Sequence, residues 1–147
     1  MIYAEDDGKI VGLSFGAVNS DNGVTISYVG TEKEYNNQGI EQSLVQEIEK
    51  HAKALGYGLL STGVLPGEEE FWEECGYKGL LLIQSEKNSI EELRSLNPGL
   101  KEINARVWEG HVNQLFLDDP SIDRELEKKY EETFPSCNTI MVYTKKA

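Results

Sequence analysis

Tyr35-Asn36-Asn37-Gln38-Gly39-Ile40-Glu41-Gln42-Ser43-Leu44 is the stretch on which the reading of this chain turns. Apolar residues then recur at helical spacing through Ile40, Leu44, Val45, Ile48, Ala52 and Leu55, and Gly56 is placed to stop the helix. A helix that opens on a glycine points unpaired N–H groups outward and places the positive end of its dipole there. An anion can then approach the backbone closely. Taken alone, Gln38-Gly39-Ile40 reads more readily as a plain loop before an amphipathic helix, and its neighbours reverse that reading.

Upstream, the acidic run Glu5-Asp6-Asp7-Gly8 separates Ile2-Tyr3-Ala4 from the apolar Ile10 to Val18, which is a hairpin signal. A second turn, Asn19 to Gly23, precedes Val24-Thr25-Ile26-Ser27-Tyr28-Val29-Gly30-Thr31, whose alternation and β-branching predict a third antiparallel strand. Downstream, Gly58 to Val64 predicts a strand, Glu68 to Cys75 a short acidic helix, and Tyr77 to Gln84 a buried strand. Ser89 caps a helix that Asn97-Pro98-Gly99 breaks, and Ile103 to Trp108 and His111 to Leu117 form a strand pair about Glu109-Gly110. Asp119-Pro120-Ser121 is expected to cap a helix carrying Ile122, Leu126, Tyr130 and Phe134, ended by Pro135, before a last strand from Thr139 to Tyr143. The order is βββαβαβ followed by αββαβ.

A chain of 147 residues is expected to be one domain that buries enough surface to need neither metal nor disulfide. Cys75 and Cys137 lie far apart with no second ligand at metal spacing, so each reads as a small core residue in a reduced, cytoplasmic setting. The longest apolar run, Gly79 to Ile83, is too short for a membrane span, and Met1 leads into a polar turn rather than a signal peptide. With 14 Lys and Arg against 26 Asp and Glu, the net charge is −12, which repels phosphate backbones and anionic membranes. Residues 1 to 84 hold five Lys and 14 acids, net −9, so the field that draws cationic ligands sits on the first half.

Four features in order resemble the GCN5-related N-acetyltransferase family: the acidic hairpin before Ile10-Val11-Gly12, the strand ending at Val29-Gly30-Thr31, the loop Tyr35 to Leu44, and Phe71-Trp72-Glu73-Glu74-Cys75-Gly76-Tyr77. The resemblance covers residues 1–84. It implies an α+β fold with a mixed, mostly antiparallel central sheet flanked by helices. Residues 1–84 would be an acetyltransferase-like core lacking the usual N-terminal strand and helices. Residues 85–147 would be an αββαβ extension of the same domain, expected to take over the missing cover.

The resemblance also implies acetyl-CoA as cosubstrate and no metal. The loop and helix start, Asn36, Asn37, Gln38, Gly39, Ile40, Glu41, Gln42 and Ser43, would hold the pyrophosphate, and the strand end Val29, Gly30 and Thr31 would pair its backbone with the pantetheine arm. Two departures stand out. Asn36 replaces the family's Arg or Gln, and Glu41 replaces the final Gly or Ala, which puts a negative charge beside the pyrophosphate. Trp72 occupies the position of the Tyr that protonates the leaving thiolate, and an indole N–H does not release a proton near neutral pH. It reads as half of a core-packing pair with Phe71.

Glu32 is then the candidate base and Tyr28 the candidate acid, with Glu34 a further carboxylate on the strand exit. His51 reads as exposed at mid-helix and His111 as a hairpin-turn residue. The expected function is acyl-CoA-dependent N-acetylation of a small, cationic amine by direct attack on the thioester. The alternative is a catalytically silent member of the same fold that binds a ligand or a protein partner. The partners expected are the small-molecule amine, with a homodimer admitted, and neither nucleic acid nor membrane.

Overall fold

Asp7 and Gly8 both take positive φ, 48° and 82°, the turn whose twist matches paired strands, and they join β1 (Ile2–Asp6) to β2 (Lys9–Val18). The computed structural model describes residues 1–147, and its α/β elements, with mostly antiparallel strands, fall into two compact units. The first comprises Met1–Thr62, Phe71–Tyr77 and Thr144–Ala147; the second comprises Gly63–Glu70 and Lys78–Tyr143. No helix is long and apolar enough to cross a membrane.

In the first unit β2 pairs antiparallel with both β1 and β3 (Val24–Thr31), and α1 (Ile40–Ala54) lies on one face of these three strands. Of the expected apolar stripe, Leu44, Val45, Ile48 and Ala52 are buried and Ile40 is half-buried, whereas Leu55 stands at the C-cap, past the last helical turn, and is 74 % exposed. Gly56, at φ 85°, ends the helix, with N–H bonds from Gly56 to the Lys53 carbonyl and from Tyr57 to the Ala52 carbonyl. Gly12 lets the first turn of α1 sit close to the sheet, because a Cβ there would be 3.3 Å from the Ile40 Cγ2 and 3.0 Å from the Thr31 Cγ2. β4 (Leu59–Gly63) begins in this unit and runs parallel to β3. After α2 (Glu69–Glu74) the chain turns at Gly76, and Trp72, 4 % exposed, packs edge-on against Phe71 and Tyr77. The Lys145 ammonium reaches both Glu49 carboxylate oxygens, at 3.0 and 2.9 Å, and donates to the Cys75 carbonyl at 2.8 Å.

The second unit is built on β5 (Lys78–Ser85), α3 (Ile90–Arg94), β6 (Glu102–Trp108), β7 (Val112–Asp118), α4 (Arg124–Thr133) and most of β8 (Cys137–Lys146). Its strands follow the order β8-β5-β7-β6. Leu81, Ile83, Leu115 and Leu117 face one another across the β5–β7 register and are fully buried. Ser89 and Glu92 form a capping box on α3, as the spacing of the two residues favours.

The cap of α4 differs from expectation. Asp123, accepting from the Leu126 N–H at 3.0 Å, replaces the Asp119-Pro120-Ser121 segment as the helix start. Asp119 is instead buried at 4 % exposure, with one carboxylate oxygen receiving the Ser121 N–H at 3.3 Å and the other without a partner. Burial, ahead of the nearby Asp123 and Asp118 charges, pushes its carboxyl above the usual range. The native state therefore holds this proton more tightly than the unfolded chain. The benefit is full below the unfolded pKa and is lost as pH rises through the native one. Asp119→Asn keeps an oxygen for Ser121 and removes the charge, so its stability should fall less than the parent's between pH 4 and pH 7. Urea midpoints at the two pH values measure this.

Candidate active site

Two features of β3 open an edge beside the start of α1. Register passes from Phe15 opposite Tyr28 to Gly16 opposite Ile26, so Ser27 is an extra residue, a β-bulge. β4 pairs with β3 through Val24 with Leu60 and Thr25 with Ser61, and the register goes no further. From the bulge onward β3 follows β2 without β4.

The bulge also shifts the facing of the strand. Before it, Val24 lines one hollow with Ile48 and Ala52 of α1. After it, Thr31 sits on the α1 side beside Gly12 and Ile40, so alternation puts Val29 on that side and Tyr28 and Gly30 on the opposite face. The Glu32 N–H donates to the Val11 carbonyl of β2 at 2.8 Å. Counting back by twos, Gly30 and Tyr28 direct their backbone groups to β2, whereas Val29 and Thr31 present theirs to the edge that β4 has left.

Beyond Thr31 the chain makes one tight turn at Lys33–Tyr35 and reaches the helix start. Asn37 and Gly39 take positive φ, 61° and 77°, and a Cβ on Gly39 would meet nothing within 4 Å. The first helical bond runs from the Ser43 N–H to the Gly39 carbonyl at 3.1 Å, and no side chain caps the N–H groups ahead of it. Ile40, Glu41 and Gln42 therefore offer three backbone donors that no side chain caps, at the positive end of a 15-residue helix. Backbone donors of this kind, next to a free strand edge, fit a diphosphate that carries an extended amide-bearing arm.

The expected cofactor residues thus meet at one place. The Thr31 hydroxyl donates to the Asn36 Oδ1 at 3.0 Å and lies 3.5 Å from the Glu41 Oε1. Glu41 consequently turns its carboxylate toward the strand end rather than outward. Gln38 Nε2 donates to the Glu34 carbonyl at 3.2 Å, and Ser43 Oγ to the Gly39 carbonyl at 3.0 Å, which hold the loop in shape.

The expected catalytic pair lies on the other side of β3. Glu32 receives the Lys9 ammonium at 2.6 Å, both side chains being about half exposed. Tyr28 stacks on Phe15 with centroids 5.8 Å apart and an interplanar angle of 18°. Trp72 is core, as expected. His51 and His111 are both exposed, the latter 3.6 Å from Glu86. Sequence reasoning missed the Ser27 bulge, because Val24, Ile26, Tyr28 keep an unbroken alternation that conceals the phase change.

Comparison with known proteins bears on the family and the fold. The family model described as the Acetyltransferase (GNAT) family matches residues 1–77. No curated protein matches the sequence. Among solved structures, the chain is similar to an IAA acetyltransferase from Bacillus cereus ATCC 14579, with TM-score 0.56 and 13% identity over 99% of this chain and 75% of that one. A GNAT family acetyltransferase from Elizabethkingia anophelis with acetyl-CoA bound gives TM-score 0.55 and 14% identity over 99% and 74%. A Bacillus subtilis acetyltransferase in complex with CoA gives 0.51 and 16% over 80% and 74%. At these identities the likeness concerns the fold. With the family model covering more than half of its 147 residues, the chain belongs to the GNAT acetyltransferase family.

Proposed function

We propose that the protein is an N-acetyltransferase that uses acetyl-CoA as its acyl donor and acts on a small, cationic amine. The observation that carries this reading is the pairing of a freed β3 edge, opened at Ser27, with the uncapped start of α1. Val29 and Thr31 would pair with the amides of the pantetheine arm, Gly30 allowing the strand to lie flat beside it. Asn36 to Ser43, chiefly through the N–H groups of Ile40, Glu41 and Gln42, would hold the pyrophosphate. Residues 1–84 carry this proposed core and residues 85–147 its extension. The free thiols Cys75 and Cys137 accord with a reducing, cytoplasmic setting.

Acetyl-CoA supplies a thioester whose carbonyl carbon gains a bond to the amine nitrogen while its bond to sulfur breaks. Glu32 is proposed to take the proton that the amine gives up, directly or through a water, once Lys9 has moved aside. An exposed pair of this kind is held weakly, so displacement is easy. Tyr28 is proposed to return a proton to the departing sulfur. The net charge of −9 on residues 1 to 84 draws cations toward the site.

A second reading, a silent member of the family that binds without catalysis, is favoured by Asn36, Trp72 and the carboxylate of Glu41 turned toward Thr31. Thiol release from acetyl-CoA separates the two across a panel of polyamines, aminoglycosides, amino acids and peptide N-termini. Cationic acceptors should outpace anionic ones, with rates that rise with pH as the amine loses its proton. Faster anionic acceptors would refute the acceptor class. No thiol released by any amine, with acetyl-CoA bound, would establish the silent module.

A further inference from the structure

We infer that Phe15 and Tyr28 are the acceptor-recognition wall of this site, and that they select an amine carrying a second, protonated nitrogen on an apolar spacer. The inference rests on the acetyl-transfer reading above and names the class of amine that reading leaves open. α1 covers one face of β1, β2 and β3, so a thioester laid along the β3 edge is open to attack from the opposite face. That face is where Phe15 and Tyr28 stack, 43 % and 48 % exposed. Two half-exposed aromatic rings in near-parallel register offer their negative faces to a cation, and their carbon surface to a methylene spacer.

Gly30 fixes the pose of this wall. A Cβ at Gly30 would stand 2.4 Å from the Tyr28 hydroxyl oxygen and 2.8 Å from its Cζ, so the phenol lies across the glycine in a place that any side chain would fill. Glu32 follows two residues later in extended conformation, φ −61° and ψ 146°. Tyr28, Gly30 and Glu32 therefore alternate onto one face. Glu32, the proposed proton acceptor, thus lies on the same face as the two rings, where the Lys9 ammonium reaches it at 2.6 Å.

The need for two nitrogens follows from the chemistry. The attacking nitrogen has to be neutral, so a cation held on the rings is a different atom of the same molecule. A diamine or polyamine meets both demands, one end free base at the thioester and the other protonated against Phe15 and Tyr28. Gly30 is a positioning residue here, and Phe15 supplies the second ring face.

Choline and 3,3-dimethylbutanol, equal in shape and different only in charge, test the wall without any acyl transfer. Choline should shift the ring resonances of Tyr28 and Phe15 at concentrations at least about tenfold lower than the alcohol. The shifts should survive Tyr28→Phe and disappear in Tyr28→Leu and Phe15→Leu, both at exposed sites the fold tolerates. In turnover, a diamine should have a KM at least about tenfold below that of the monoamine of equal length. Tyr28→Phe and Tyr28→Leu both lack the hydroxyl and should share a lowered kcat, whereas the diamine KM should rise in Tyr28→Leu alone, and Gly30→Ala should raise it too by displacing the ring. Equal shifts from choline and the alcohol, or a diamine KM equal in the Phe and Leu variants, would overturn the inference. Failure of acetyl-CoA to bind would sink the transfer reading instead, and the choline result would still report on the wall.

Discussion

Tyr130→Ala is expected to leave the protein largely unfolded at physiological temperature. Tyr130 is fully buried on α4, and its hydroxyl donates to the Leu93 carbonyl at 2.8 Å. Burial is also the main cause that pushes its phenol up to about 12, so it stays neutral and donating across the whole working range. Removing a buried aromatic ring costs about 3–5 kcal/mol through lost transfer energy and the cavity left behind. The abandoned Leu93 carbonyl adds about 1–3 kcal/mol unless water reaches it. A domain of this kind has about 5–15 kcal/mol in all, so the sum approaches the whole. Tyr130→Phe separates the two contributions, since it keeps the ring and loses only the hydrogen bond. Urea unfolding should place Phe near 1–2 kcal/mol below the parent, as roughly expected for one hydrogen bond. An alanine variant that lost no more than the phenylalanine variant would mean that the site collapses on the missing ring.

Glu41→Gly is expected to tighten coenzyme A by about tenfold at low ionic strength, and by much less in 1 M salt. The carboxylate lies 3.5 Å from the Thr31 hydroxyl, beside the N–H groups proposed to hold the pyrophosphate. Two like charges about 4 Å apart repel by about 1 kcal/mol in bulk water and by several times that in a half-buried site, and about 1.4 kcal/mol is tenfold in affinity. Asn36, which receives the Thr31 hydroxyl, brings no positive charge to offset this. Helix loss works against the gain, because glycine in a first turn costs up to about 1 kcal/mol, so Glu41→Gln serves as the control that keeps helix propensity. Calorimetric titration of both variants measures the effect. Unchanged or weaker affinity in both would assign Glu41 to holding the strand end rather than opposing the ligand.

The parts of this molecule governed by local physics were legible in the sequence. The apolar stripe of α1, the Asp7-Gly8 and Glu109-Gly110 turns, the Ser89 cap and the glycine stop at Gly56 each depend on residues within a few positions of one another. What pairing decides was not legible. Asp123 rather than Asp119 starts α4 because Asp119 is drawn into the interior, which no local pattern announces. The Ser27 bulge is set by the register of β2 against β3, and the stacking of Tyr28 on Phe15 across that register follows from it. The division into two units interleaves the chain, with Gly63–Glu70 in one and Phe71–Tyr77 in the other, and no change of composition marks those points.

Backbone amide exchange with and without acetyl-CoA reports both whether the ligand binds and whether it lies on the β3 edge and the start of α1. With free acetyl-CoA at about 100 times its dissociation constant, only about 1% of the protein is free, which corresponds to about 2.7 kcal/mol. The amides of Val29 and Thr31 on the freed edge, and of Ile40, Glu41 and Gln42 at the helix start, should then exchange up to about a hundredfold more slowly. Gly30, already bonded toward β2, should change least among the strand-end residues. Exchange that is unaltered at millimolar acetyl-CoA, or slowed elsewhere while these five amides are untouched, would contradict it.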